Sequence, residues 1–303
     1  MTTTQPKTRR TLRDLLDPAF MARLDALDIL SHRALRGKLR GERRSKRRGE
    51  GTEFADHRRY VVGDDLRFVD WNIYGRLDQL FVKLFLEEQD LTVHLLVDAS
   101  ASIAEPDRDK DRYVRRLAAA LGYIGLVGNN RVTISLFGDG IVAEASNLRG
   151  RGHVARLAEV LLDTEAGGAS DFDKACRQAA ARRVGTSVII VLSDFLFKEG
   201  YETGLRRLIG EHYEVYAVQT LSPTELEPEL AGDLKLVDVE DADTSEITVS
   251  AALLKYYKRT LAAYCNGLRD FCVRRGASYV LANTGTPVEQ MVLNTLRRIR
   301  LVR

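Results

Sequence analysis

Residues 91–97, Leu-Thr-Val-His-Leu-Leu-Val, form a mostly apolar run that stops at Asp98-Ala99-Ser100-Ala101-Ser102. A run this short and this apolar suits a strand covered on both faces, as in parallel sheets. The chain then repeats the pattern. Residues 112–127 read as a helix and 132–137 as a strand. The Gly138-Asp139-Gly140 turn leads into 141–145. A tight Asp-Gly turn marks a hairpin, so one edge strand is expected to be antiparallel. Helices follow over 154–162 and 172–182, a strand over 187–192, a helix over 201–210 and a strand over 214–218. Residues 234–239 and 246–249 suggest a hairpin around a turn that begins at Glu240-Asp241. Residues 251–275 read as a long helix whose Leu254, Tyr257, Leu261, Tyr264, Leu268 and Phe271 share a stripe expected to face the sheet. A strand at 278–282 and a helix at 288–298 close the chain. Strands alternating with helices imply an α/β fold with a doubly wound, mostly parallel sheet. Right-handed crossovers gather the loops after the strands at one edge of that sheet.

The N-terminal part is different. Asp17-Pro18 is a helix start, with Asp as the cap and Pro in the first turn. Phe20, Met21, Leu24 and Leu27 then fall on one face. Residues 36–48 carry eight basic residues against Glu42 alone. Residues 53–90 are dense in charge and aromatics and show a strand pattern only near 80–87. The expected division is a helical arm and basic connector over 1–50, an Arg/Asp-rich segment packed on the main domain over 51–90, and the α/β domain over 91–303.

A net charge of +3 does not by itself indicate a nucleic-acid binder. The 36–48 run could contact phosphates or an anionic membrane surface, but no aromatic stacking residues interrupt it, and a solvated linker or a contact with an acidic partner is the favoured reading. No apolar run is long enough to span a membrane. The N-terminus lacks a secretory apolar stretch, and Cys176, Cys265 and Cys272 lack zinc spacing. A cytoplasmic protein with free thiols is expected.

Three loops should meet at the carboxyl edge of the sheet, where open α/β sheets bind ligands. They supply Asp98, Ser100 and Ser102, then Ser170 and Asp171 in Gly167-Gly168-Ala169-Ser170-Asp171, then Asp194 after the 187–193 strand. Hydroxyls with a few carboxylates suit a hard divalent cation and leave part of its charge for a further ligand, such as a carboxylate from another protein. A Walker-type phosphate loop and a Gly-x-Ser-x-Gly elbow are absent from the sequence. A phosphotransferase using Asp98 as nucleophile would need an acid/base two residues on, where Ser100 stands. His94, inside the first strand of the domain, reads as a satisfied core residue. A Mg²⁺-dependent hydrolase and a nucleic-acid module are therefore the lesser readings.

Asp-x-Ser-x-Ser after the first strand, a Gly-Gly-x-Ser loop and a later Ser-Asp resemble the metal-ion-dependent adhesion site of von Willebrand factor A-type domains. The resemblance implies that Asp98, Ser100, Ser102, Ser170 and Asp194 hold Mg²⁺, or in its place Mn²⁺ or Ca²⁺, directly or through water. Ser170 stands where threonine is usual, so Ser170 and Asp171 both remain candidates for the third position. A longer string, Glu53-Phe54, Arg58-Arg59-Tyr60, Gly63-Asp64-Asp65, Arg67, Asp70-Trp71, Arg76 and Val82-Lys83, resembles the bacterial MoxR-associated family of von Willebrand factor A-like proteins. That resemblance implies a non-enzymatic adaptor or substrate receptor for a MoxR-type AAA+ ATPase in chaperone-like maturation. A client protein would present an Asp or Glu to the metal. The charged string itself reads as an ion-pair network or as a docking surface for the ATPase.

Overall fold

The computed structural model describes residues 11–31, 53–86, 91–104, 108–183, 187–228, 232–237 and 244–303. The basic run at 36–48 and the turn at 240–243 lie outside them. Ten strands are described: β1 (Glu53–Arg59), β2 (Phe81–Leu86), β3 (Thr92–Asp98), β4 (Arg131–Gly138), β5 (Gly140–Leu148), β6 (Ser187–Ser193), β7 (Glu214–Leu221), β8 (Gly232–Val237), β9 (Thr244–Val249) and β10 (Ser278–Asn283). The chain divides into two units. Residues Met1–Arg33 group with Leu91–Arg303, and Ala34–Asp90 form the other.

The larger unit is built on a six-stranded sheet of order β10-β7-β6-β3-β4-β5. All neighbours are parallel except β5, which runs antiparallel to β4. The expected doubly wound sheet and its antiparallel edge are both present. β3 and β4 are neighbours, and the chain then crosses to the other side of β3 to lay down β6. The strand order therefore reverses at β3 and β6, the position at which open α/β sheets are expected to form a ligand crevice outside the carboxyl ends of the strands.

Strand side chains divide between two cores with period two. Val93, Leu95, Val97, Ile134, Leu136, Val188, Ile190 and Leu192 enter one, with the helices Arg108–Val127 and Val154–Asp163. Leu96, Phe137, Ile189, Val191, Val215 and Ala217 enter the other, with the helices Phe172–Ala180 and Glu202–Gly210. Arg108–Val127 is buried along most of its length because Ala118, Ala119, Ala120, Gly122 and Gly125 let neighbours approach closely. A Cβ on Gly125 would lie 2.8 Å from Val132 Cγ2.

The N-terminal helix Pro18–Leu24 is capped as expected, Phe20 N donating to Asp17 Oδ1 at 2.9 Å. Leu16, Phe20 and Leu24 are buried in the first core. A bridge between Ile29 and Val302 ties this segment to the C-terminus. Strands β8 and β9 form the expected hairpin. The long helix, Ala251–Arg274, differs from expectation: Leu268, Phe271 and Cys272 are buried, whereas Tyr256 and Tyr257 are exposed. Its stripe is core only in the last turns. The closing helix starts as α over Val288–Gln290 and widens to a π turn over Met291–Leu296.

In the smaller unit, β1 and β2 form an antiparallel hairpin with an irregular register between Phe54 and Asp56. The helix Trp71–Leu77 is capped by Asp70, whose Oδ1 accepts from Asn72 N and Ile73 N at 3.0 and 3.2 Å. Asp70 Oδ2 faces His57 Nε2 at 2.9 Å and Lys83 Nζ at 3.4 Å. Arg58 pairs with Asp64, and Arg67 with Asp65, each at 2.9 Å. Part of the charged string is thus an ion-pair network, while Trp71, Tyr74 and Leu77 are exposed.

Candidate functional site

At the expected crevice, the chain after β3, the end of β4 and residues 167–171 are fastened to one another through backbone hydrogen bonds. Ala99 N donates to Phe137 O, Gly167 N to Ala99 O, Ala101 N to Gly168 O and Asp171 N to Gly138 O, all at 2.8–3.0 Å. Gly168 has φ +77°, a left-handed conformation that suits glycine at this turn.

Asp98 ends β3 and is 1% exposed. Ser100 N and Oγ both donate to its Oδ1, at 3.0 and 2.6 Å. Ser193 Oγ donates to its Oδ2 at 2.6 Å. Ser102 Oγ lies 3.0 Å from Ser100 Oγ. Asp98, Ser100 and Ser102 therefore stand as one hydrogen-bonded chain at the strand end. Burial, followed by the neighbouring Asp194 charge, pushes the Asp98 carboxyl well above the usual carboxylate range; the bonds from Ser100 and Ser193 act the other way. A cation at this point would relieve that cost.

Asp194 is held from several sides. Its Oδ1 accepts from Leu196 N at 3.0 Å. Its main-chain oxygen accepts from Gln219 Nε2 at 2.9 Å, and Gln219 Oε1 in turn accepts from Tyr279 Oη at 2.8 Å. The next residue, Phe195, has a left-handed backbone at φ +60°, a conformation that costs about 1–2 kcal/mol for an L-residue. Packing among Phe137, Phe172 and Phe197 holds it there.

The middle loop separates its two candidates. Asp171 caps the helix Phe172–Ala180, its Oδ1 accepting from Lys174 N at 2.8 Å. Ser170 Oγ is buried and has no hydrogen-bond partner. A buried hydroxyl without a partner is costly and calls for an explanation. Of the two, Ser170 has a buried oxygen without a partner, whereas one oxygen of Asp171 is engaged at the helix start.

Sequence reasoning missed Lys110 and Glu225. Lys110 Nζ donates to Asp194 Oδ2 at 2.8 Å, to Glu225 Oε1 at 2.8 Å and to the carbonyl of Ser102 at 3.2 Å. All three ammonium protons are used, and the residue is 2% exposed. Burial works against the charged form, but the two carboxylates outweigh it and raise the Lys110 pKa. Glu225 belongs to a capping box with Ser222, its Oε2 accepting from Ser222 N at 2.6 Å. The Ser-Pro-Thr-Glu sequence directly after a strand was the available signal for Glu225. For Lys110 there was none, because Arg108-Asp109-Lys110-Asp111-Arg112 reads as a solvated helix start.

Asp98, Ser100 and Ser102 are hydrogen-bonded together with the Asp194 charge beside them, and the backbone of the neighbouring loop, which carries Ser170, is bonded to theirs. Among the described residues, no three His, Cys, Asp or Glu side chains come together as metal ligands. The donor chemistry fits a hard divalent cation, and the unpartnered Ser170 oxygen is consistent with that fit. His94 lies elsewhere: it is buried, with Nε2 2.9 Å from Ser135 Oγ, as the core reading expects.

Residues 56–266, more than half of the chain, match the family described as "Protein of unknown function DUF58". The chain belongs to the DUF58 family. Relatives include uncharacterized protein Rv1480 of Mycobacterium tuberculosis (strain ATCC 25618 / H37Rv), 29% identical over 258 residues that cover 83% of this chain and 80% of the relative. Uncharacterized protein Mb1516 of Mycobacterium bovis (strain ATCC BAA-935 / AF2122/97) matches to the same extent. Similar solved structures include the conserved hypothetical protein BatB from Bacteroides thetaiotaomicron, 14% identical with a TM-score of 0.39, over 69% of this chain and 98% of that one. The SpRpn10 VWA domain is 11% identical with a TM-score of 0.38, over 68% of this chain and 95% of that one. Among the described residues of this DUF58 protein, no helix is long and apolar enough to cross a membrane.

Proposed function

We propose that this DUF58 protein is a non-enzymatic, von Willebrand factor A-like interaction module whose crevice recognises an acidic side chain of another protein through a divalent cation. The observation that carries this reading is the hydrogen-bonded Asp98–Ser100–Ser102 chain, whose loop is bonded through Ala101 N and Gly168 O to the loop where the Ser170 hydroxyl is buried without a partner. Asp98, Ser100, Ser102 and Ser170 would hold the ion, and Asp194 would fix the site beside it. When bound, Mg²⁺ supplies an electrophilic point to which a carboxylate of the partner is drawn. Ser100 and Ser193 hold Asp98 in one orientation, so the oxygens are arranged before any partner arrives. Ser100, two residues after Asp98, has a hydroxyl that cannot serve near neutral pH as the acid/base a phosphotransferase needs at that position, which disfavours that reading. The proposed setting is cytoplasmic, with a MoxR-type AAA+ ATPase supplying the energy and a client protein supplying the Asp or Glu.

The test is an affinity pull-down from native cell extract with three arms: wild type with Mg²⁺, wild type with EDTA, and Asp98→Ala with Mg²⁺. A MoxR-type ATPase or client retained only in the first arm is the expected result. Equal recovery in all three would overturn the metal-dependent mechanism and move recognition to another surface.

A further inference from the structure

Lys110 is the feature of this crevice that a plain metal site does not need. A primary ammonium is buried against Asp194, reaches across to Glu225 and donates to the main chain of Ser102, one of the residues assigned to the ion. Its protons are fully used, so it has none left to receive a partner's carboxylate without giving up one of these bonds. What it does instead is set the charge of the site. With Asp194 tied to an ammonium, Asp98 is the one carboxylate of the proposed set not already neutralised by a protein cation. A divalent ion held by Asp98 and neutral hydroxyls keeps about one unit of positive charge, which a partner's Asp or Glu would complete. A fixed positive charge next to the site also repels the ion itself.

We propose that Lys110 is a specificity-determining residue of this crevice: a resident cation that occupies Asp194, keeps metal affinity low in the isolated protein, and reserves tight metal binding for the complex with an acidic partner. This rests on the metal-dependent reading above. It also gives Glu225 a role. Glu225 is the second carboxylate that holds the ammonium in place, fixed in turn by its capping box with Ser222.

The experiment is Mn²⁺ binding to the full chain, with Mn²⁺ as the sole added ligand, followed by the loss of the free-ion electron paramagnetic resonance signal. Wild type, Lys110→Met, Lys110→Gln and Lys110→Met/Asp98→Ala are compared. Lys110→Gln keeps a donor toward Asp194 and serves if Lys110→Met does not fold. Thermal melts in EDTA and in excess Mg²⁺ accompany the titrations. The expected result is binding tighter by about tenfold or more in both neutral variants, since one repulsive unit charge has gone. That gain should vanish with Asp98→Ala, and Mg²⁺ should raise Tm more in the neutral variants than in wild type. Affinity unchanged or weakened in a folded neutral variant, with wild type still binding Mn²⁺, would overturn the role of Lys110 and leave the metal reading standing. No binding by wild type or by either neutral variant would overturn both.

Discussion

Lys110 Nζ lies 2.8 Å from Asp194 Oδ2, and both side chains are 2% exposed. The pair joins the first turn of a helix to the end of β6. Each group is held by further bonds, Lys110 to Glu225 and Ser102, Asp194 to Leu196 N. Removing Asp194 leaves the buried ammonium with Glu225 alone, a part-exposed carboxylate, to balance it. Asp194→Ala is therefore expected to cost about 3–5 kcal/mol of stability. Glu225 is 28% exposed at its side chain, so water replaces part of what Glu225→Gln removes, and the loss should be smaller. Urea denaturation in EDTA measures both. Equal losses would mean that Lys110 relies on Glu225 as much as on Asp194.

Ser170 and Asp171 should separate cleanly under mutation. Asp171→Ala removes a helix cap and is expected to cost about 1 kcal/mol with little change in metal affinity. Ser170→Ala removes a buried oxygen that has no partner, so stability in EDTA should hold or rise. Stabilisation by Mg²⁺ should fall. Melts with and without Mg²⁺ read both variants.

Acid should weaken the larger unit through His94. Burial foremost, and then Arg182, lowers its pKa from 6.5 to about 4. Between those values the unfolded chain binds more protons than the folded one. The neutral imidazole's contribution is therefore complete above pH 6.5 and is lost as the pH falls toward 4. A shift of this size corresponds to about 3 kcal/mol. Denaturation midpoints of wild type and His94→Leu between pH 7 and pH 4.5 provide the check, and the variant should show the shallower decline.

Gly204 sits where two helices touch. A Cβ there would lie 2.8 Å from Phe172 Cδ1 and 3.0 Å from Cys176 Sγ. Phe172 is locked among Phe137, Phe195 and Phe197 and cannot swing away. Gly204→Ala should cost about 1–3 kcal/mol by overpacking. Chemical denaturation tests it, and a neutral result would mean that the aromatic cluster yields.

The main sheet was legible because β3, β6 and β7 are buried on both faces and read as unbroken apolar runs. The Asp139-Gly140 turn marked the antiparallel edge for the same local reason. β1 was missed because Glu53–Arg59 carries four charged residues, and its register shifts where alternation would be read. The helix Ala251–Arg274 has an apolar stripe throughout, yet only its last turns reach the core; a pattern records which residues can be buried, not how far the sheet extends. Asp98, Ser100, Ser102 and Asp194 were legible as residues at strand ends. Lys110 was not, because its partners lie 84 and 115 positions away and its burial exists only in the tertiary fold.

The most direct measurement of the central claim is calorimetric titration of Mg²⁺ into the wild-type chain and into Asp98→Ala, with Lys110→Gln titrated alongside. Saturable binding in the wild type, absent from the folded variant, is the predicted result. Saturable binding of equal affinity in the wild type and Asp98→Ala, or no Mg²⁺ binding at millimolar concentrations by the wild type and Lys110→Gln alike, would contradict a metal site at the end of β3.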